Sequence, residues 1–366
     1  LKRNKKVVLT TTHSSFSIQD KGKDLQDYMI KSGKQFAIFI DEAHTWLVSS
    51  WENYRITNGW NATVVSYEAT LFKSLDNLSK YSPYIFGLTA TPNAEQLNKV
   101  ETVGGMKFQV INDFAPLELL IGKTAWFKGV TYYDKSFKNQ YDILDKYETA
   151  IMNLYGSYFK KTMLVAVGND GVKNGYDIKN VKRETFRILR SNGLISSDEQ
   201  VIAVMSYDKS IQGSYADDGS FTKLDDDEIK EKLNDANNSL RILIVVQKGK
   251  MGMNVFNLKS LVSFRASDKN NGDGESLVEF AIQLIGRLVR LNTGLSNSEF
   301  TSKYGYDIET YVKTLSDDEV SSLIEANSMD ILIPDTTMWK NAIEQFKKNY
   351  VSSVQSAKAW INAKRK

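Results

Sequence analysis

Phe36-Ala-Ile-Phe-Ile-Asp-Glu-Ala-His44 is five apolar residues that run straight into two acids and a histidine. An uninterrupted apolar run of this length is the pattern of a strand buried on both faces, and the acids fall where that strand ends. Short runs of the same kind recur at Val7–Thr10, Ile85–Leu88, Met163–Val167, Val201–Met205, Ile242–Val246 and Leu261–Phe264, separated by longer amphipathic stretches. Such alternation predicts an α/β fold, with parallel sheets covered by helices on both faces. An early set of runs ends near residue 115 and a later set begins near 162, which predicts two sheet domains joined by a helix over Asn139–Phe159. The last stretch, Asp335–Lys366, carries Trp339, Ile343, Phe346, Tyr350 and Val354 at steps of three or four, the spacing of an amphipathic C-terminal helix.

Composition narrows the class. The chain has 366 residues, 42% of them hydrophobic, with Lys+Arg 47 against Asp+Glu 44 and a formal charge of +3. That excludes a disordered chain, which lacks the apolar surface to offset chain entropy. The length is about twice that of a domain of ~100–200 residues, so two domains are expected. No run approaches the ~20 apolar residues of a membrane span, so no membrane partner is expected. Cysteine is absent and only two histidines occur, which excludes disulfide scaffolds and thiolate zinc sites. The small net charge excludes a large global positive field, so any hold on nucleic acid has to be local. Leu1-Lys-Arg-Asn-Lys-Lys has no apolar signal stretch, and the chain reads as a fragment of an intracellular enzyme.

Chemistry concentrates at three places. In open α/β sheets ligands bind beyond the carboxyl ends of strands, where Asp41 and Glu42 fall. One carboxylate there can hold a magnesium bridging two phosphates, while its neighbour orients and deprotonates a water. The plainer reading is a helix N-terminus, which also favours acids; His44 behind them either serves the site or packs locally. Phe86-Gly-Leu-Thr-Ala-Thr-Pro92 follows the next run, and an extended Thr89-Ala-Thr91 puts both hydroxyls on one side, within reach of the acidic pair. Its plainer reading is a strand end closed by Thr-Pro. In Gln283-Leu-Ile-Gly-Arg-Leu-Val-Arg290, offsets of 0, 3, 4 and 7 put Gln283, Gly286, Arg287 and Arg290 on one helical face, leaving Leu284, Ile285, Leu288 and Val289 to pack on the sheet. A glycine inside a helix costs about 1 kcal/mol, and close approach of another surface is the expected reason for Gly286. Guanidinium groups suit the oxygens of a transferring phosphoryl group. A bare basic face is the alternative. Lys248 and Lys250, just past Ile242–Val246, are candidates for phosphate contacts.

Asp41-Glu-Ala-His44, Thr89-Ala-Thr91 and Gln283-x-x-Gly-Arg-x-x-Arg290 together resemble, in order, motifs II, III and VI of superfamily 2 helicases and translocases of the DEAH type. Val7-Val-Leu-Thr-Thr-Thr-His-Ser-Ser-Phe16 resembles that family's Thr/Ser strand-contact loop, with Thr12 and Ser14 as the contacts. Lys161–Val167 is similar to motif IV. Ile242–Asn254 is similar to motif V, with Gly252 at the glycine position and Asn254 where aspartate is usual, a departure that removes a coupling charge. The nearest pattern is that of phage helicases and restriction-enzyme ATPase subunits. The resemblance implies two tandem RecA-like parallel-sheet domains, the first truncated at its N-terminus, plus a C-terminal helix. The implied boundaries are 1–125, a connecting segment 126–160, a second domain 161–310 and a helical tail 311–366. It further implies ATP and Mg2+ as cofactors, with Asp41 on the metal, Glu42 on the water, Arg287 and Arg290 reaching across from the second domain, Gln283 and His44 assisting, Gly252 and Gly286 lining the nucleotide and Thr89, Thr91 and Asn254 coupling. The implied partner is nucleic acid, DNA in preference, held through its backbone without sequence reading, in the cytoplasm of a bacterial or phage-infected cell.

A phosphate loop needs Gly-x-x-x-x-Gly-Lys-[Ser/Thr], and no segment of the 366 residues supplies it. Gly122-Lys-Thr124 is a decoy, because Leu117 stands in place of the first glycine. The expectation is therefore a loop upstream of Leu1 and little hydrolysis by this polypeptide alone. The alternatives are a non-hydrolysing nucleic-acid-binding or regulatory module on the same scaffold, or the motor subunit of a restriction-type nuclease. Ala216-Asp-Asp-Gly-Ser and Asp225-Asp-Asp-Glu228 read as solvated acids and not as a calcium loop. Trp46, Trp51 and Tyr54 read as core more than as a stacking platform.

Overall fold

The computed structural model describes residues 27–28, 31–32, 37–40, 84–87, 126–157, 159–168, 171–246, 255–265, 277–289, 292–293, 295, 297–305, 308–350 and 362–363. The chain divides into two compact units, Leu1–Asn112 with Asn271–Glu275, and Asp113–Asn270 with Ser276–Lys366.

In the first unit two strands are described, β1 (Ala37–Ile40) and β2 (Tyr84–Gly87), at the two places where apolar runs predict them. They pair in parallel, with Ile40 opposite Gly87. Phe39 and Phe86 stack with ring centroids 5.0 Å apart. The two rings are 66% and 41% exposed.

The second unit is α/β. In chain order it contains β3 (Trp126–Tyr133), α1 (Gln140–Tyr155), β4 (Thr162–Val167), α2 (Gly171–Asn174), α3 (Ile178–Ser191), β5 (Ile202–Met205), β6 (Gly213–Tyr215), β7 (Phe221–Lys223), α4 (Asp226–Asn234), β8 (Ile242–Val246) and β9 (Leu258–Ser263). It continues with α5 (Leu277–Gly286), a 3-10 turn (Arg287–Val289), α6 (Asn297–Tyr304), α7 (Ile308–Lys313), α8 (Asp317–Ala326), β10 (Ser328–Pro334) and α9 (Thr337–Tyr350). The eight strands lie in the order β3-β10-β9-β4-β8-β5-β6-β7. The first six are parallel, and the β6/β7 hairpin is antiparallel.

Strand alternation sends successive side chains to opposite faces, and each face has its own core. Leu164, Ala166, Leu243, Val245, Leu261, Ile331 and Ile333 meet α5 and α9 on one side through Leu284, Ile285, Leu288, Trp339, Ile343 and Phe346. Met163, Val165, Ile202, Val204, Ile244 and Leu332 meet α1 and α3 on the other through Tyr147, Ile151, Ile188 and Leu189. Tyr133 ties edge strand β3 inward, its hydroxyl donating to the Ser263 carbonyl at 2.6 Å.

Two departures from the sequence reading stand out. The segment expected only to connect, 126–160, also supplies β3, and the tail expected to be helical, 311–366, supplies β10 between β3 and β9. Both strands are disguised. Lys128 and Gly129 interrupt Trp-Phe-Lys-Gly-Val-Thr-Tyr-Tyr, and Asp330 interrupts the apolar run of β10. Burial raises the Asp330 carboxyl above its usual pKa, and Lys128 and Lys161 partly offset this. The acidic stretches are structural. Asp217 and Asp218 lie in the turn joining β6 to β7, Asp217 pairing with Arg190 at 3.1 Å. Asp225 and Glu228 form a reciprocal capping box at the start of α4. No group of three or more metal-ligating side chains occurs among the described residues. No described helix is long and apolar enough to cross a membrane.

Candidate active site

Asp41, Glu42, His44, Thr12, Ser14, Thr89, Thr91, Lys248, Lys250, Gly252, Asn254 and Arg290 lie outside the described residues, as do Gly122-Lys-Thr124 and Trp46, Trp51 and Tyr54. What the structure fixes for the acidic and threonine motifs is the backbone that leads into them. Ile40 immediately precedes Asp41 in sequence, Gly87 stands two residues before Thr89, and those two strand ends are paired neighbours in a parallel sheet. Parallel strands end at the same edge, so β1 and β2 end on one edge of one sheet, one residue before Asp41 and two before Thr89 in sequence.

Gln283, Gly286 and Arg287 are described. Helix α5 buries Ala281, Leu284 and Ile285, and Leu288 follows them into the core, while Gln283, Gly286 and Arg287 stay half-buried along the other side. The apolar and polar positions therefore separate as the 3-4 spacing predicts. The α-helical geometry of this face stops at Gly286, and Arg287–Val289 tighten into a 3-10 turn, which has about three residues per turn and rotates the later positions off the α-helical stripe.

The expected reason for Gly286 is also corrected within its own unit. A Cβ built there meets no heavy atom within 4 Å, so no packed protein surface demands glycine. The space that a side chain at position 286 would take is open.

The arginine turn is held by residues that sequence reasoning passed over. Lys259, on central strand β9, is 1% exposed, and its Nζ donates to the Leu288 carbonyl at 2.9 Å. That carbonyl is among those a helix end leaves without an intrahelical partner, and a cation there also meets the negative end of the helix dipole. Lys259 lies near the amino end of β9, so the turn sits at the amino edge of this sheet, opposite the edge where β8 ends at Val246 and the chain runs on to Lys248. Beyond Arg290, the buried side chain of Asn327 brackets the backbone of Asn292. Its Oδ1 accepts from the Asn292 amide at 2.7 Å, and its Nδ2 donates to the Asn292 carbonyl at 2.8 Å. Asn292 in turn donates through Nδ2 to the Lys160 carbonyl at 3.1 Å. The available signal is a lysine among Leu258, Leu261 and Val262 at the start of a strand that the apolar run alone begins at Leu261.

Next to this junction Lys160 donates through Nζ to the carbonyls of Asp235 at 2.5 Å and Lys232 at 3.2 Å. Burial, and then the Arg241 guanidinium, lower its pKa from 10.5 to about 8, and Asp235 partly offsets this. Arg241 stacks over the Tyr155 ring at 4.9 Å.

No protein-family model matches the chain, and no characterised protein matches it by sequence. Among solved structures it is similar to S. cerevisiae Dbp5 bound to RNA and ADP BeF3, with 11% identity over 93% of this chain and 67% of that one and a TM-score of 0.37. It is similar to the Mycobacterium smegmatis helicase Lhr bound to ssDNA and AMP-PNP, with 10% identity over 93% of this chain and 33% of that one and a TM-score of 0.46. An XPD helicase structure matches at 11% identity over 93% of this chain and 63% of that one, with a TM-score of 0.28. The chain spans 66% of the length of a Dbp5 chain bound to Gle1 and a third of Lhr. The α/β class is carried by the strand order of the chain itself.

Proposed function

We propose that this chain is the motor portion of an ATP-dependent nucleic-acid helicase or translocase of the superfamily 2, DEAH-box type, built on RecA-like domains and acting on DNA in preference. The observation that carries the reading is the pairing of Ile40 with Gly87, since the strands that lead into the Asp-Glu and Thr-x-Thr motifs end on a common sheet edge. The open space at Gly286 beside half-buried Arg287 fits the approach of a phosphoryl group.

In this reading MgATP supplies the activated phosphoanhydride. Asp41 holds the magnesium, and Glu42 orients the attacking water and takes its proton. Arg287 and Arg290 bind the oxygens on which negative charge builds, with Gln283 and His44 assisting. Thr89 and Thr91 transmit the occupied state to the Thr12/Ser14 loop, which alternates with Lys248 and Lys250 in holding the strand backbone. Such contacts do not read sequence.

The test is phosphate release from ATP by the full natural chain, with and without single-stranded DNA or RNA. Stimulation by nucleic acid, larger with DNA, is expected; no hydrolysis under any condition overturns the reading. A second reading is a non-hydrolysing nucleic-acid-binding module on the same scaffold. That reading gains if strand binding persists without hydrolysis. Nuclease activity copurifying with the full chain would favour the restriction-type motor.

A further inference from the structure

The chain is tethered within the 3-10 turn that carries Arg287, at Leu288, and again past it, at Asn292. Two residues before Arg290, the Leu288 carbonyl receives the Lys259 ammonium; two residues after it, both main-chain groups of Asn292 are taken by the Asn327 side chain. All three partners are buried, Lys259 at 1%, Asn292 at 7% and Asn327 at 5% exposed. Asn327 is itself fixed, since it caps α8 and its Nδ2 also donates to the Leu323 carbonyl at 2.9 Å.

Burying an ammonium is expensive, and an apolar residue of similar volume on β9 would suit a central strand better. What the lysine supplies that an apolar residue cannot is a fixed length and direction between the middle of the sheet and one carbonyl of the turn. Asn327 supplies the same on the other side by mimicking a strand neighbour of Asn292. It stands at the entrance to β10, so the region 311–366 reaches the arginine segment through this side chain as well as through the core that α9 shares with Leu288.

We propose that Lys259 and Asn327 are positioning residues which hold the backbone at Leu288 and at Asn292, so that the turn presents Arg287 in a single orientation. The proposal rests on the functional reading above for what the arginines do, and on the hydrogen bonds alone for the clamp. Both residues are buried beneath the segment they hold. Each acts through the turn, so its loss lowers turnover and not nucleotide affinity.

The test uses the full natural chain with Lys259→Met, which keeps the stem and removes the ammonium, and with Asn327→Ala. Steady-state ATP hydrolysis, thermal melting and amide exchange over residues 287–292 are measured together. Displacing a reacting group by about 1 Å costs on the order of 10²-fold, so kcat is expected to fall by about that factor in either variant, with KM for ATP unchanged and only a small drop in melting temperature. In the wild-type chain the Asn292 amide is expected to exchange slowly, and in Asn327→Ala rapidly. Wild-type kcat in both variants overturns the proposal, as do equal losses in kcat and folded fraction. If the wild-type chain hydrolyses no ATP, the functional reading fails and exchange decides the clamp: rapid exchange at Asn292 in the wild type refutes it, slow exchange supports it. The same wild-type measurement decides if a variant does not fold.

Discussion

Replacing Gly286 by alanine separates stability from function at one position. The residue closes helix α5, its φ is not positive, and an added Cβ meets no heavy atom within 4 Å. Alanine at a compatible site stabilises by about 0.4–1 kcal/mol, chiefly by restricting the unfolded chain. For a unit of this size a kcal/mol moves the melting temperature by about 2–4 °C, so Gly286→Ala should melt about 1–4 °C higher than wild type. If the open space beside Arg287 is where a phosphoryl group passes, the new methyl stands in its path, and nucleic-acid-stimulated hydrolysis should fall roughly tenfold or more. Calorimetry and a phosphate-release assay on the same preparations give both numbers. A lower melting temperature would refute the open space, and a raised one with unchanged hydrolysis would refute its use by the nucleotide.

Trp339 is fully buried against the α5 face of the sheet, and Trp339→Ala should cost about 3–5 kcal/mol in urea unfolding; under 1 kcal/mol, α9 is not part of the core. Asp225→Ala removes the capping box of α4 and should cost about 1 kcal/mol, while calcium should leave the wild-type melting temperature unchanged; a calcium-dependent rise lost in the variant would make the acids a metal site. Lys160 has a folded pKa of about 8 against 10.5. Below the lower value both states are protonated. Between the two values the unfolded chain keeps the proton that the folded chain releases, so stability rises with pH. Relative to Lys160→Met, the wild type should therefore gain stability between pH 8 and 10.5, and a flat or falling difference contradicts the assigned burial.

Strands buried on both faces were legible because nothing but apolar residues occupies them: Met163–Val167, Val201–Met205 and Ile242–Val246 all match within a residue. The C-terminal helix was legible from the spacing of Trp339, Ile343 and Phe346. Illegible were the strands whose polar residues have tertiary partners. Asp330 sits between Lys128 and Lys161, and Lys259 reaches a helix end, so neither looks like core until the partners are placed. The same blindness set the wrong start for β9 and hid the clamp. At the arginine motif, spacing separated buried from half-buried positions correctly, but not the change from α to 3-10 at Gly286, which depends on how the helix end is held.

The central claim is that Glu42 and Arg287 act on one nucleotide, and the most direct test is a double-mutant cycle on kcat with Glu42→Gln, Arg287→Ala and the pair. Residues that serve one transition state are strongly non-additive, so the double variant should be no slower than the slower single variant. Losses that multiply, or a wild-type rate in either single variant, would contradict it.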